Sequence, residues 1–278
     1  MASTEIFLDG HWLPREEARI PADDRGLAFS EGLFETVRVR KGRVCLIAEH
    51  LGRLRTSCDF LGLPYPKEDL EAVAVDGARR HGLDDASARI TVTAGAGGDL
   101  VGPGDRPGSL IVQIRPALGP GNGIKVHIPS LRQSATSVLM RHKTLRYLER
   151  VLAAREAKAK GLDEAVFLND LGQVAEGTTA SVFWVRNSTL YTPSIEANIL
   201  PGVTRAVTIR AARESGMRVE EVLSSLDALE GADEAFLTSA TRGAAWIASV
   251  NGKPIGNGRQ GAVTARLAPG VARMEEVR

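Results

Sequence analysis

What this chain lacks narrows its function before anything it contains. No apolar run approaches the roughly 18–20 residues that a membrane span needs. The stretch from Met1 to Pro14 has neither the basic start nor the long apolar run of a secretory signal. With only two cysteines, Cys45 and Cys58, there is material for neither a disulfide framework nor a complete zinc site. An excess of one charge is missing too: 35 Lys plus Arg face 34 Asp plus Glu, and no basic stripe with interleaved aromatics suggests nucleic acid. The histidines (His11, His50, His81, His127 and His142) never pair at metal-ligand spacing, so no metal is expected. Neither a nucleotide phosphate loop nor a Gly-x-Ser-x-Gly elbow occurs. One Gly-x-Gly-x-x-Gly, from Gly256 to Gly261, follows a hairpin, and too little chain remains after it for a dinucleotide-binding unit. These absences describe a cytoplasmic chain with reduced thiols, no membrane and no nucleic acid. Its partner is a small molecule or another copy of itself.

What is present suffices for a real core: hydrophobic residues make up 43% and charged residues 25% of the 278 positions, close to the globular average. Ile6 to Leu13 alternates around Asp9-Gly10, a hairpin pattern. Leu33 to Val39 reads as a strand with Phe34, Thr36 and Arg38 on one face and Glu35, Val37 and Val39 on the other. A return strand over 44–47 and helices over 48–61 and 67–81 follow. Strands over 88–94 and 109–114 flank a glycine-rich loop, 95–104, that looks mobile. Three glycines and two prolines between Pro116 and Gly123 make the best linker candidate. Beyond it the pattern predicts a strand over 125–129, a helix over 145–160 and strands over 164–168, 181–185 and 189–192. A helix over 203–215, strands over 218–223 and 234–238, a hairpin turned at Asn251-Gly252 and a C-terminal helix complete it. The fold class is α/β, or α+β in two domains: a small N-terminal domain over 1–115, a linker over 116–124 and a larger domain over 125–278.

Four separated pieces fit one cofactor. Lys143 sits in Met140-Arg-His-Lys-Thr-Leu-Arg-Tyr-Leu148, between a strand and a helix, with Arg141 and Arg146 beside it. A lone lysine there is ordinarily solvated. A lysine that bonds an aldehyde must spend time deprotonated, which burial and nearby cations favour. Glu176 lies among small residues leading into an apolar strand, where a carboxylate can pair with a ring nitrogen. Leu200-Pro-Gly-Val-Thr-Arg205 opens a helix, and the unpaired first N–H groups of a helix attract an anion. Thr238-Ser-Ala-Thr-Arg-Gly243 is a hydroxyl-rich loop after a strand, and Arg53 offers a forked partner to phosphate from a helix. Singly, each piece is an ordinary turn, cap or solvated arginine.

Together, the sequence resembles the class IV aminotransferases, the fold-type IV pyridoxal-phosphate enzymes. The likeness runs from Asp24-Arg-Gly through Glu31-Gly-Leu-Phe-Glu-Thr36 to Gly258–Arg266, and is most specific over 176–183, 190–192 and 200–205. It implies pyridoxal 5'-phosphate held by Lys143 as a Schiff base, with Glu176 at the pyridine nitrogen and Tyr147 near the phenolic oxygen. Arg53, Val203, Thr204, Ala240 and Thr241 would hold the phosphate. Ser181 departs from the pattern, standing where the family usually has asparagine. The resemblance further implies a homodimer with the active site between the domains.

The reaction is less legible. Phe34-Glu-Thr-Val-Arg-Val39 resembles the aminodeoxychorismate lyases, in which the threonine matching Thr36 is implicated. Against that, Ala94–Leu100 loses both arginines of the usual lyase stretch, and also the Arg-x-His trap of D-amino acid aminotransferases. Ser87-Ala-Arg89 keeps the arginine of a branched-chain Tyr-x-Arg but not the tyrosine. Strand alternation leaves Arg38 and Arg89 as candidates for the substrate carboxylate, with Phe34 and Thr36 beside them. The expectation is an aminotransferase moving an amino group from an amino acid, D-amino acids slightly ahead, or from a primary amine, to a 2-oxo acid. The alternatives are a lyase giving 4-aminobenzoate and pyruvate, and a cofactor-binding protein without turnover.

Overall fold

The computed structural model describes residues 5–102, 104–119, 121 and 123–275. Pro103 of the glycine-rich loop, and Pro120 and Asn122 of the expected linker, lie outside the described residues. The chain divides into two compact units. One is formed by the chain up to Leu118 together with His142–Arg146, the other by Gly119–Arg141 with the chain from Tyr147 onward.

The first unit contains strands β1 (Glu5–Leu8), β2 (His11–Pro14), β3 (Gly32–Arg40), β4 (Arg43–Val44), β5 (Asp85–Thr93) and β6 (Leu110–Pro116). Its helices are α1 (Arg25–Ala28), α2 (Ile47–Leu61) and α3 (Leu70–Arg80). The strands form one antiparallel sheet in the order β2-β1-β6-β5-β3-β4. Asp9 and Gly10, at φ 48° and 94°, make the β1–β2 turn that the Asp-Gly pair predicts. Alternation along β3 and β5 sorts the two faces. Leu33, Val37, Val39, Ala86, Ala88, Ile90 and Val92 bury against Leu54 and Cys58 of α2 and Leu70, Ala74 and Ala78 of α3. Phe34, Thr36 and Arg38 lie on the other face, opposite Thr91, Arg89 and Ser87 in register. The expected return strand over 44–47 stops at Val44, because Leu46 turns into the left-handed region at φ 52° and becomes the N-cap of α2. Both cysteines are buried and unbridged, and burial pushes the Cys58 thiol up to about 11.

The expected mobile loop is tied through its first half. Gly97 N–H donates to Asp23 O, Arg25 N–H to Gly95 O, and the buried Arg25 side chain reaches Asp99 O at 2.5 Å.

The second unit contains β7 (Ile124–His127), β8 (Glu164–Leu168), β9 (Val174–Gly177), β10 (Ser181–Arg186), β11 (Thr189–Pro193), β12 (Val219–Val222), β13 (Glu234–Ser239), β14 (Gly243–Val250) and β15 (Lys253–Pro254). Its helices are α4 (Leu148–Ala159), α5 (Val203–Glu214), α6 (Leu226–Glu230) and α7 (Ala262–Glu275). The strands form a mixed sheet, β12-β11-β10-β13-β14-β7-β8-β9, with β15 on β14. β10 and β13 run through the centre, and their buried Phe183 and Phe236 rings stack at 5.1 Å. Among the described residues no helix is long and apolar enough to cross a membrane.

One difference from the sequence reading bears on the site. The helix expected from residue 145 begins at Leu148. Residues 143–145 instead pair with β3: Phe34 N–H donates to Lys143 O at 2.9 Å and Leu145 N–H to Gly32 O at 3.0 Å. Extended pairing consumes the backbone groups that a helix would need.

Candidate active site

In the first unit, pairing with β3 fixes the backbone of Lys143, and its amine lies 4.3 Å from the centre of the Phe34 ring. The Arg89 guanidinium lies over the same ring at 3.6 Å. An aromatic face attracts both cations and gives each a defined place. Lys143, Phe34 and Arg89 therefore gather on the face of the sheet away from α2 and α3. Thr36 is opposite Arg89, and Arg89 is in turn opposite Gln113 on β6. Lys143's neighbour His142 is anchored separately, stacked on Phe60 at 4.1 Å with Nδ1 3.0 Å from Ser57 Oγ. Burial lowers its pKa.

Arg38 belongs elsewhere. Its Nε and Nη2 donate to the two carboxylate oxygens of Asp85 at 2.7 and 2.5 Å. The fork is matched to that carboxylate at the strand end, whereas Arg89 lies over the Phe34 ring. Arg53 also has a carboxylate partner that sequence reasoning missed. Its Nε and Nη2 each donate at 2.7 Å to Glu35, and His50 Nδ1 lies 2.8 Å from Glu35 Oε2. Burial alone would push the Glu35 carboxyl up, but Arg53 and His50 more than reverse this and hold it at about 2. The hint was available: an acid on the apolar face of β3, between Leu33 and Val37, has to find a cation.

In the second unit, Glu176 ends the short strand β9 and is 3% exposed. Its Oε1 accepts from Arg150 Nη2 at 2.6 Å, Gln133 Nε2 at 3.2 Å and Leu200 N–H at 3.4 Å. Among the described residues no donor meets Oε2. Neither Gln133 nor Arg150 was singled out by the sequence. Arg150 stands in the first turn of α4, where the helix dipole disfavours a cation, and that was its signal. Tyr147 is the N-cap of α4, and the Arg150 guanidinium lies 5.2 Å from its ring.

Gly202 is the N-cap of α5 and brings no capping side chain, while Val203 and Thr204 are buried in the first turn. Ser181 links this helix start to the other hydroxyl-rich piece. A Cβ at Gly202 would lie 2.7 Å from Ser181 Oγ, and Ser181 is opposite Thr238 in the β10–β13 register. The helix N-terminus and the turn that carries Ala240 and Thr241 are thereby neighbours. The Thr238 hydroxyl is buried without a hydrogen-bond partner, one of two such side-chain atoms among the described residues.

The sequence profile described as Amino-transferase class IV matches residues 32–250. The chain belongs to that family. A putative branched-chain-amino-acid aminotransferase of Methanocaldococcus jannaschii is 35% identical to it over 95% of this chain and 93% of the relative. The aminodeoxychorismate lyase of Bacillus subtilis is 29% identical over 84% and 82%. A D-alanine aminotransferase of Listeria monocytogenes is 28% identical over 95% and 93%. Among solved structures, the branched-chain aminotransferase of the thermophilic archaeon Thermoproteus uzoniensis with norvaline superposes with a TM-score of 0.88 at 28% identity, covering 98% of this chain and 95% of that one. This class IV aminotransferase is thus a mixed α/β enzyme of the fold-type IV kind, and its relatives include both aminotransferases and a lyase.

The residues present suit pyridoxal phosphate on chemical grounds. An uncapped helix start beside an orphaned buried hydroxyl suits a phosphate. A buried carboxylate with one oxygen unclaimed among the described residues suits a protonated ring nitrogen. A lysine amine held over an aromatic ring by a paired backbone suits an aldehyde.

Proposed function

We propose that this enzyme is a pyridoxal-phosphate-dependent aminotransferase that moves an amino group from an amino acid to a 2-oxo acid. The observation that carries the proposal is the placement of Lys143, pinned by β3 with its amine on the face that holds Phe34 and Arg89. When bound, the cofactor supplies an electrophilic aldehyde and a ring that accepts the electrons released at the donor's α-carbon. Lys143 Nζ would hold it covalently and, once the donor's amine had displaced it, would carry the α-proton as a free amine. Glu176 Oε2 would meet the ring nitrogen, and Tyr147 would serve the phenolic oxygen. Val203 and Thr204 bind the phosphate through backbone N–H groups, together with Ala240, Thr241 and Arg53. Arg89 takes the donor carboxylate, with Thr36 and Phe34 lining the same face. Ser87 shares that face two positions from Arg89, so a small hydroxyl stands at the tyrosine's place. This supports a D-amino acid ahead of a branched-chain one.

A second reading has its own support. Thr36 of the lyase-like stretch is directly opposite Arg89, the residue proposed for the substrate carboxylate. The lyase would release pyruvate and 4-aminobenzoate with the same lysine.

One spectrum separates the two. Purified protein is loaded with pyridoxal phosphate and given D-alanine, then L-leucine, without a 2-oxo acid. Conversion of the yellow lysine-bound form to the colourless amine form supports the aminotransferase. A yellow band that survives every amino acid, with pyruvate appearing from aminodeoxychorismate, supports the lyase. No yellow band at all overturns the cofactor assignment.

A further inference from the structure

The Glu176 carboxylate is already in an ion pair before any ligand is considered. Arg150 donates to Oε1 through Nη2, while its Nη1 donates to the carbonyls of Gly177 at 3.0 Å and Thr178 at 3.1 Å. The guanidinium therefore grips the end of β9 by three acceptors, and its side chain is 15% exposed. Gln133 adds a fourth tie, donating both to Glu176 Oε1 and to Asn198 O. Arg150 Nη2 and Gln133 Nε2 thus address the same carboxylate oxygen, Oε1. The charged and titratable groups beside the pair are Tyr147 and Glu149, both on the α4 side. Burial works against the Arg150 charge, but Glu176, Tyr147 and Glu149 more than reverse it, so its pKa is raised further above an already high value. It is a permanent cation.

We propose that Arg150 is a positioning residue with an electrostatic role: it turns Glu176 so that Oε2 alone faces the cofactor's ring nitrogen, and it weakens that nitrogen's hold on its proton. This rests on the reading that Glu176 meets the ring nitrogen. The reasoning is Coulombic. A carboxylate shared between two cations stabilises each less than it would alone, and in a site shielded from water that loss is appreciable. The ring's proton affinity governs how strongly the ring draws electrons, so Arg150 would set how deep an electron sink the enzyme has. Simple geometric support of Glu176 predicts the opposite sign. If Arg150 only held the carboxylate in place, its loss would let Glu176 drift and the ring proton would be lost more easily.

The test is a pH titration of the holoenzyme loaded with pyridoxal phosphate labelled with 15N in the ring, followed by the nitrogen's chemical shift. R150M is expected to raise the deprotonation midpoint by about one pH unit, a tenfold gain in proton affinity. R150K, which keeps the charge and loses the fork, is expected to stay closer to the wild type. Should R150M not fold, R150Q keeps amide donors for the Gly177 and Thr178 carbonyls and is expected to move the midpoint the same way. E176Q is the control for the underlying reading and is expected to lower the midpoint. An unmoved midpoint in E176Q overturns the Glu176 assignment itself. A lowered or unchanged midpoint in R150M or R150Q, with E176Q behaving as expected, overturns only the role given to Arg150.

Discussion

Glu35 shows how much a single buried residue can carry. It is 1% exposed, receives both arms of Arg53 and touches His50, and its carboxyl is held at about 2 against an ordinary 4.5. Because the folded value lies below the unfolded one, the unfolded chain binds more protons between those limits. The contribution to stability is therefore complete above about pH 4.5 and is lost as pH falls toward 2. The amount at stake is on the order of 3 kcal/mol. Urea unfolding of wild type at pH 3 and pH 6 should show this loss. E35Q should be weaker at pH 6 by about 3–5 kcal/mol, since it strands a buried arginine, and should lose less between the two pH values. Gly202 gives a second prediction at this scale. A Cβ there would meet Ser181 Oγ at 2.7 Å and Arg205 Cβ at 3.1 Å. G202A should cost about 1–3 kcal/mol by overpacking, and the double variant with S181A should recover part of it, as measured by chemical denaturation. The acid at 35 and the serine at 181 are plain in the sequence. Their partners are not, because pairing across 18 residues or across two strands is a property of the fold.

At the scale of elements, periodicity served the regular segments and failed where tertiary pairing competed. Helix α2 and strands β3, β8 and β13 lie close to where alternation and the 3.6-residue period place them. The stretch 143–147 does not, although Leu145, Leu148 and Leu152 suit a helix. Its backbone is taken by the edge of β3, with an isolated bridge between Leu33 and Thr144. The strand β9 was hidden for another reason: four residues ending in glycine are too short to show a period. Gly32 is what allows the Lys143 segment to approach β3. A Cβ on it would lie 2.5 Å from Val92 O and 2.7 Å from Leu145 Cδ1. The first is backbone of the neighbouring strand and cannot swing aside. G32A should therefore displace Leu145 and with it the register of Lys143. We expect the yellow lysine-bound cofactor band to fall at least several-fold relative to a control such as A94S on the same protein concentration, while far-ultraviolet dichroism stays near wild type. An unaltered band would mean that Lys143 does not depend on this close approach.

For the molecule as a whole, the order of the motifs was legible and their neighbours were not. Lys143, Glu176, Gly202 and Thr238 all stand within residues 32–250, which match the family's profile. What the linear reading could not show is that His142–Arg146 returns to the first unit while the chain on both sides of it belongs to the second. Of the residues with a proposed cofactor role, Lys143 and Arg53 belong to the first unit and Glu176, Tyr147, Val203, Thr204, Ala240 and Thr241 to the second. A ligand that binds folded but not unfolded protein must raise its stability. At a free concentration one hundred times the dissociation constant the gain is about 2.7 kcal/mol. For a protein of this size each kcal/mol raises the melting temperature by roughly 2–4 °C, so pyridoxal phosphate should shift it by about 5–10 °C. K143A removes the covalent tie and keeps the groups proposed for phosphate and ring. It should need a higher cofactor concentration for the same shift, and it should show no yellow protein-bound band. Inorganic phosphate alone, which can occupy only the groups proposed for the cofactor's phosphate, should give a shift of a degree or two on the same linkage argument. A melting temperature of the wild-type protein that ignores pyridoxal phosphate at millimolar concentration would remove the ground on which every residue role here has been assigned.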